Sequence, residues 1–291
     1  MRHSGGTLGL DELNLEIPDS GITCLLGANG AGKTTLLECA AGIIALTSGR
    51  LLIDGLPPGS SLSRRTVGVM LQDGGLPGGA RPREFLEYVA RLYPRPRDVR
   101  ALLARVDIDP DTRTPIRRLS GGQARRVAWA AAMVGGGRVL LLDEPTAGVD
   151  PIGRERLYEV LREERDTGVA IIVSTHLIED VEQLADFVAV LRHGRLSLCG
   201  TPEELRPRAS IIVRATREMD RAVLVSALPA GATCTRTSGD TYEVFVPTGI
   251  DPAVLTIVAS WCAQHSVVPD TSLADLRSVL WNAVRDVEVR P

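Results

Sequence analysis

The stretch Gly27-Ala28-Asn29-Gly30-Ala31-Gly32-Lys33-Thr34-Thr35 constrains this chain more than any other, because it fits the pattern G-x-x-x-x-G-K-[ST] that wraps a polyphosphate. Ile22-Thr23-Cys24-Leu25-Leu26 before it reads as a buried strand, and residues 34–41 after it read as a helix. That strand, loop, helix order is the context the pattern needs. Glycines at 27, 30 and 32 permit backbone conformations that a Cβ would block, so successive N–H groups can turn inward on an anion at the positive end of the helix. In such a loop Lys33 reaches the β and γ phosphates and the Thr34 hydroxyl holds Mg²⁺. A glycine-rich turn that merely matches the pattern is the competing reading. Against it, Lys33 is the single lysine among 33 basic residues, so the compact ammonium stands only where a point charge must fit among phosphate oxygens.

A chain of 291 residues, 44% hydrophobic, has room for a large α/β domain and a smaller companion. The net charge of −3 gives no broad basic field, so nucleic acid is not an expected partner. Arginines interleave with acids, as in Arg154-Glu155-Arg156, and read as solvated helix faces. Cysteines at 24, 39, 199, 234 and 262 show neither zinc nor disulfide spacing, which fits reduced thiols in a cytosolic protein. The longest apolar run, 127–142, is broken by Gly135-Gly136-Gly137 and Arg138, and residues 1–6 lack the apolar core of a signal peptide. The chain is therefore expected not to enter a membrane by itself.

Along the chain, Leu13, Leu15 and Ile17 alternate with polar residues as in a half-buried strand, and Leu51-Leu52-Ile53 ends at the turn Asp54-Gly55, which together suggest an antiparallel β patch. Residues 66–71 form a buried strand that delivers Gln72 to its C-terminal end, where α/β sheets place their ligands. A glycine and proline cluster over 73–82 then breaks regular structure, and helices are expected at 83–93, 98–106 and 122–134, an insertion into the α/β domain. Val139-Leu140-Leu141-Leu142 returns to the sheet as a strand covered on both faces. Asp150 caps a helix starting at Pro151, residues 169–173 form a strand ending near His176, and 187–191 form the next, turned at His193-Gly194. After Gly200 a small α+β domain is expected, with strands at 211–213 and 242–246 and helices at 218–228, 252–265 and 272–284.

Two further constellations carry chemistry. Asp143 and Glu144 directly follow four apolar residues, so both carboxylates emerge where an Asp can hold the Mg²⁺ shell and a Glu can polarise water. Taken alone they read equally well as solvated strand-end acids; beside a phosphate loop the functional reading prevails. Leu119-Ser120-Gly121-Gly122-Gln123 opens a helix with a hydroxyl and backbone N–H groups, a second phosphate receptor. One chain with one nucleotide has no use for two. A symmetric pair of chains, each closing on its partner's nucleotide, does.

In these motifs, over about residues 7–205, the chain resembles the ATPase subunit of an ATP-binding cassette (ABC) transporter. The resemblance implies a P-loop NTPase fold with a mainly parallel sheet, an antiparallel β patch and a helical subdomain at about 80–135, within an ATPase domain 1–205 followed by a small α+β domain 206–291. It assigns ATP contacts to Gly27, Asn29, Gly30, Gly32, Lys33, Thr34 and Thr35 and, from a second chain, to Ser120, Gly121, Gly122 and Gln123. Thr34, Gln72 and Asp143 would hold Mg²⁺, with Glu144, His176 and Gln72 in the catalytic set, and Ala147-Gly148-Val149-Asp150 at the dimer axis. It further implies a homodimer or heterodimer of ATPase subunits on a polytopic membrane permease, at the inner face of the plasma membrane. Pro145-Thr146-Ala147-Gly148, Arg91-Leu92-Tyr93 and a small C-terminal domain are similar to the multidrug and antibiotic-resistance exporter branch.

Three features depart from the family. The position of its adenine-stacking aromatic corresponds to His3-Ser4-Gly5-Gly6, a change worth about 1–3 kcal/mol of binding if nothing replaces the ring. Set against the family, the chain is expected to start late and to lack the usual first strand. Gly135-Gly136-Gly137 stands where the family has an acid and a proline, and a looser turn is expected there. The alternatives to a transport ATPase are a soluble ABC factor of translation or repair, or a nucleotide-binding regulatory module without hydrolysis.

Overall fold

A computed structural model of the chain describes residues 9–72, 75–205, 210–214, 225–229, 231–238, 241–245, 252–264, 268–273 and 276–284. The chain divides into two compact units, residues 1–202 with 283–291, and residues 203–282.

In the first unit, strands β1 (Gly21–Leu26), β2 (Val67–Met70), β3 (Val139–Asp143), β4 (Ala170–Thr175), β5 (Phe187–Arg192) and β6 (Arg195–Gly200) form one sheet in the order β2-β3-β4-β1-β5-β6. The first five are parallel, and β6 returns antiparallel to β5. Every residue of β3 and β4 is buried, which is why these strands read as unbroken apolar runs. His193 (φ 48°) and Gly194 (φ 78°) make the hairpin turn into β6, both in the left-handed region that a tight two-residue hairpin demands.

The helices are α1 (Lys33–Ala40), α2 (Ser63–Thr66), α3 (Pro82–Ala90), α4 (Val99–Arg105), α5 (Gly121–Met133), α6 (Pro151–Asp166), α7 (Ile178–Leu184) and α8 (Pro202–Leu205). Three are stopped or started by side chains: Asp98 accepts from Ala101 N–H (2.6 Å), Asp150 from Gly153 N–H (2.9 Å), and Ser120 with Gln123 forms a reciprocal capping box. The insertion α3–α5 is tied to α6 by Glu164, buried to 2% exposure, which pairs with Arg97 and Arg105. Its last helix, α5, lies close on β2: a Cβ at Gly68 would stand 2.0 Å from the Ala132 carbonyl oxygen.

Several local expectations differ from this architecture. Residues 13–17 and 51–53 form no ladder; only an isolated bridge, Ile53 to Leu56, occurs there. Leu15, Ile17, Leu51 and Ile53 instead pack on the cluster of Leu25, Leu37, Val139 and Leu141, and a cleft of about 1530 Å³ is lined by both segments. Alternation with period two reports that one face is buried, not which backbone it pairs with. The antiparallel pair of this sheet is β5 with β6. The triple glycine is a close-packed turn rather than a loose one, since a Cβ at Gly135 would meet the Tyr93 ring at 2.5 Å and one at Gly137 the Thr66 carbonyl at 2.4 Å.

The second unit holds β7 (Ser210–Arg214), β8 (Thr233–Ser238), β9 (Thr241–Phe245) and β10 (Val268–Leu273) in the order β10-β7-β9-β8, every pair antiparallel. Val254, Val258, Trp261 and Cys262 of the helix Pro252–Gln264 bury against Val213, Tyr242 and Val244. The expected helix over 272–284 begins only at Leu276, because Val268–Leu273 is drawn into the sheet beside β7. Residues 218–224 and 265 of two other expected helices lie outside the described residues, as does the His3 to Gly6 neighbourhood.

Candidate functional site

The phosphate loop leaves the end of β1, and each glycine in it has a separate cause. Gly30 (φ 81°) and Gly32 (φ 104°) adopt the left-handed backbone, and a Cβ at Gly27 would stand 2.5 Å from the Leu191 carbonyl oxygen. Gly32 is the N-cap of α1 and supplies no side-chain cap, so the first N–H groups of this helix are unclaimed by a capping side chain. The Lys33 ammonium, in a residue only 6% exposed, folds back on Gly27 O (2.7 Å) and Ala28 O (3.3 Å).

The sheet order sets the geometry of the acids. β4 lies between β1 and β3, with Leu26 in register with Thr175 and Asp143 in register with Ser174. Asp143 is therefore one strand removed from the loop strand, and α1 closes the gap: the Thr34 hydroxyl donates to Asp143 Oδ2 at 2.8 Å. Ser174 donates its hydroxyl to Asp143 Oδ1 and accepts from the Glu144 N–H at 2.9 Å. That second bond holds an unusual backbone. Glu144 has φ 48°, a left-handed conformation that costs a non-glycine residue about 1–2 kcal/mol. The turn aims its carboxylate at two cations or donors, Lys33 Nζ at 3.4 Å from Oε1 and His176 Nδ1 at 2.8 Å from Oε2. A carboxylate accepts from the ring N–H, so Nδ1 is the donor in this pair, and Nε2 has no hydrogen-bond partner among the described residues. Glu144 is nearly buried, whereas the His176 side chain is 47% exposed.

One continuous chain of contacts thus joins Thr34, Asp143, Ser174, Glu144, Lys33 and His176. Gln72 stands two residues past β2 and is exposed. Ser120 and Gly121 are also exposed at the start of α5; the Ser120 hydroxyl and the Gln123 amide bond each other's backbone at 3.1 and 3.0 Å. Neither segment has a side-chain hydrogen bond to the acid cluster among the described residues. Asn29 is exposed and Thr35 buried in α1. The link between α5 and the acids comes from a residue that motif reading passes over: buried Trp129 donates Nε1–H to the Pro145 carbonyl at 3.2 Å.

Other partners were equally silent in the sequence. Ser174 and Thr175 carry one signal only, their place at a strand end directly before His176. Asp180, fully buried, accepts from Thr146, Thr175 and Tyr158. Burial, then the bond to Asp180, pushes the Tyr158 phenol well above its ordinary value. The Gly153 N–H, first among its partners, holds Asp150 below the usual carboxylate range. Burial, reinforced by Asp180, pushes the Cys24 thiol up, so this cysteine is inert packing in β1.

A mainly parallel sheet whose central strand feeds a helix through a glycine loop, with two acids at the end of the strand one removed from it, defines a nucleotide-hydrolysing P-loop protein. The comparisons specify the family. Residues 10–147 match the ABC transporter family model. The chain is 37% identical over 215 residues to the energy-coupling factor transporter ATP-binding protein EcfA2 of Symbiobacterium thermophilum, covering 68% of this chain and 73% of that protein. Among solved structures it resembles cbiO1 from Clostridium perfringens, part of the ABC transporter complex cbiONQ, with TM-score 0.60 and 35% identity over 70% of this chain and 86% of that one. A dimeric post-hydrolysis structure of the ATP-binding cassette MJ0796 bound to ADP and Pi matches in fold, with TM-score 0.62 and 22% identity over 67% of this chain and 91% of that one. The chain belongs to the ABC transporter ATP-binding family and is an ATPase subunit of that kind. None of these three is named as a drug exporter. No helix among the described residues is long and apolar enough to cross a membrane.

Proposed function

We propose that this chain hydrolyses ATP between two copies of the ATPase fold and so powers a separate membrane permease. The observation that carries the reading is the Glu144 carboxylate, held by a left-handed turn between Lys33 and His176 and one residue from the acid that meets Thr34.

In this reading the backbone N–H groups at the start of α1 and the Lys33 ammonium bind the β and γ phosphates. Glu144 accepts a proton from the attacking water as the water oxygen bonds to the γ phosphorus and the bond to the bridging oxygen breaks, releasing ADP, and His176 orients that carboxylate through Nδ1. The exposed Ser120 and Gly121, with Gly122 and Gln123, meet the γ-phosphate of a second chain's nucleotide, which explains a capped helix start that takes no part in its own chain's acid cluster. The hydroxyl of Thr34 and the carboxylate of Asp143 are hard oxygen donors that would hold Mg²⁺, together with Gln72, and the ion would neutralise phosphate charge. Too few protein ligands converge to make a cage, as suits an ion that keeps waters and phosphate oxygens.

The partner is a second ATPase subunit, identical or related, and a polytopic permease at the inner face of the plasma membrane. Support comes from the relatives' membership of transporter complexes. Export of drug-like, antibiotic-like or lipid-like cargo is the finer reading and rests on the wording Pro145-Thr146-Ala147-Gly148; co-purification with its permease and ATP-driven flux in vesicles of defined orientation tests it. For the hydrolytic site the test is Glu144→Gln, which should lower Mg²⁺-dependent ATP turnover by about 10²–10⁴-fold while ATP still binds. Near-normal turnover would remove Glu144 from its role. Retention of ribosomes or DNA in place of a membrane protein would favour the soluble-factor alternative.

A further inference from the structure

The side chain of Asp180 is fully buried in the first turn of α7, and its donors are three hydroxyls from three different places. Oδ2 accepts from Thr146 Oγ1 at 2.8 Å and from Thr175 Oγ1 at 2.5 Å; Oδ1 accepts from Tyr158 OH, on α6, at 2.6 Å. Thr146 lies two residues after Glu144, in a turn closed by Ala147 N–H on Glu144 O at 3.1 Å. Thr175 directly precedes His176, and its hydroxyl also accepts from Leu177 N–H at 3.0 Å, so His176 is held on both sides. The contacts close a ring: Glu144, Pro145, Thr146, across to Asp180, across to Thr175, His176, and back to Glu144 through the 2.8 Å bond.

We propose that Asp180 is a positioning residue for ATP hydrolysis, a clamp that sets the distance between Glu144 and His176 by tying the turn after one to the residue before the other. The inference rests on the roles given to Glu144 and His176 above. The residue type follows from the donors. Three hydroxyls that all donate need an acceptor-only group with lone pairs on both oxygens, and a carboxylate is the only side chain that offers this; an asparagine amide would place a donor against at least one hydroxyl. Burying a charge is costly without such partners, and charge-assisted bonds offset it. A packing role would be served by an apolar side chain at lower cost. Two of its three bonds instead go to the segments that carry the base and its orienting imidazole, and the third, from Tyr158, anchors the carboxylate to α6.

The experiment is a double-mutant cycle on the full chain, measured as single-turnover and steady-state ATP hydrolysis with ATP binding and thermal unfolding alongside. Asp180→Asn should lower kcat about ten- to hundredfold with KM for ATP within about twofold, and should cause no further loss in a His176→Ala background, because its effect passes through that imidazole. Thr146→Val, which removes one donor to Asp180 with little change of shape, should act in the same direction and decides the matter if Asp180→Asn does not fold. Unchanged kcat, a loss shared between kcat and KM, or losses that multiply with His176→Ala would overturn the clamp and leave Asp180 a stabilising residue only. Glu144→Gln run in parallel separates the two layers: inactive Glu144→Gln with fully active Asp180→Asn refutes the clamp alone, whereas active Glu144→Gln refutes the reading of the site beneath it.

Discussion

His176 Nδ1 lies 2.8 Å from Glu144 Oε2, joining two residues 32 positions apart across the end of the sheet. The bond orients the imidazole through one ring nitrogen, and in the proposed site the other serves the nucleotide. His176→Ala should therefore reduce kcat by about 10²-fold while changing KM for ATP little, because the loss falls on orientation of the base rather than on phosphate binding. Steady-state kinetics of ATP hydrolysis checks this, and a loss confined to KM would place His176 in nucleotide binding instead.

Ser174 serves both acids through one hydroxyl. In Ser174→Ala, Asp143 loses a buried donor and the left-handed Glu144 loses an acceptor for its N–H, although the Ser174 carbonyl still accepts from the same N–H at 3.2 Å. A stability loss of about 1–3 kcal/mol is expected in denaturant titration. The half-saturating Mg²⁺ concentration for turnover should rise severalfold, since the Asp143 carboxylate loses one of the two hydroxyls that orient it.

Glu164 makes stability depend on pH. Burial pushes its pKa up, but hydrogen bonds from Arg97 and Arg105 outweigh burial and hold it below its ordinary value of 4.5. A depressed folded pKa contributes stability that is fully present above the unfolded value and lost as pH falls through the folded one. Glu164→Gln should cost about 1–3 kcal/mol at pH 7, the arginines being partly hydrated, and its gap from wild type should narrow below about pH 4.5. Urea unfolding at stepped pH measures the gap, and a constant difference down to acid would show that the pairs contribute nothing net.

Gly68 lets α5 approach β2. Gly68→Ala would press a methyl group toward the Ala132 carbonyl and the Leu140 side chain, for which overpacking predicts a loss of about 1–3 kcal/mol. As α5 also carries Ser120 at its start, ATP-driven dimerisation should weaken more than ATP binding to the single chain. Scattering and nucleotide titration on the same sample distinguish the two.

The phosphate loop, the two acids after an apolar strand and the capped Ser-Gly-Gly helix start were legible because each is local: a backbone conformation, a strand end or a helix cap is specified by a few consecutive residues. The strands 139–143 and 170–175 were legible for the same reason, as runs with no polar face. Residues 13–17 and 51–53 show the limit, since alternation encodes burial without naming a neighbour. Only the tertiary structure placed β4 between β1 and β3, and with that order came the roles of Ser174, Thr175 and Asp180. Their partners lie 31, 5 and 34 positions away in the pairs Ser174 with Asp143, Thr175 with Asp180 and Thr146 with Asp180, and two of the three distances exceed any local pattern. The sequence by itself determined the local pieces: a glycine loop between strand and helix, two acids at a strand end and a capped helix start. The fold decided which hydroxyls hold them, because a serine, a threonine or an aspartate acquires its meaning only from the donor or acceptor that packing sets opposite it.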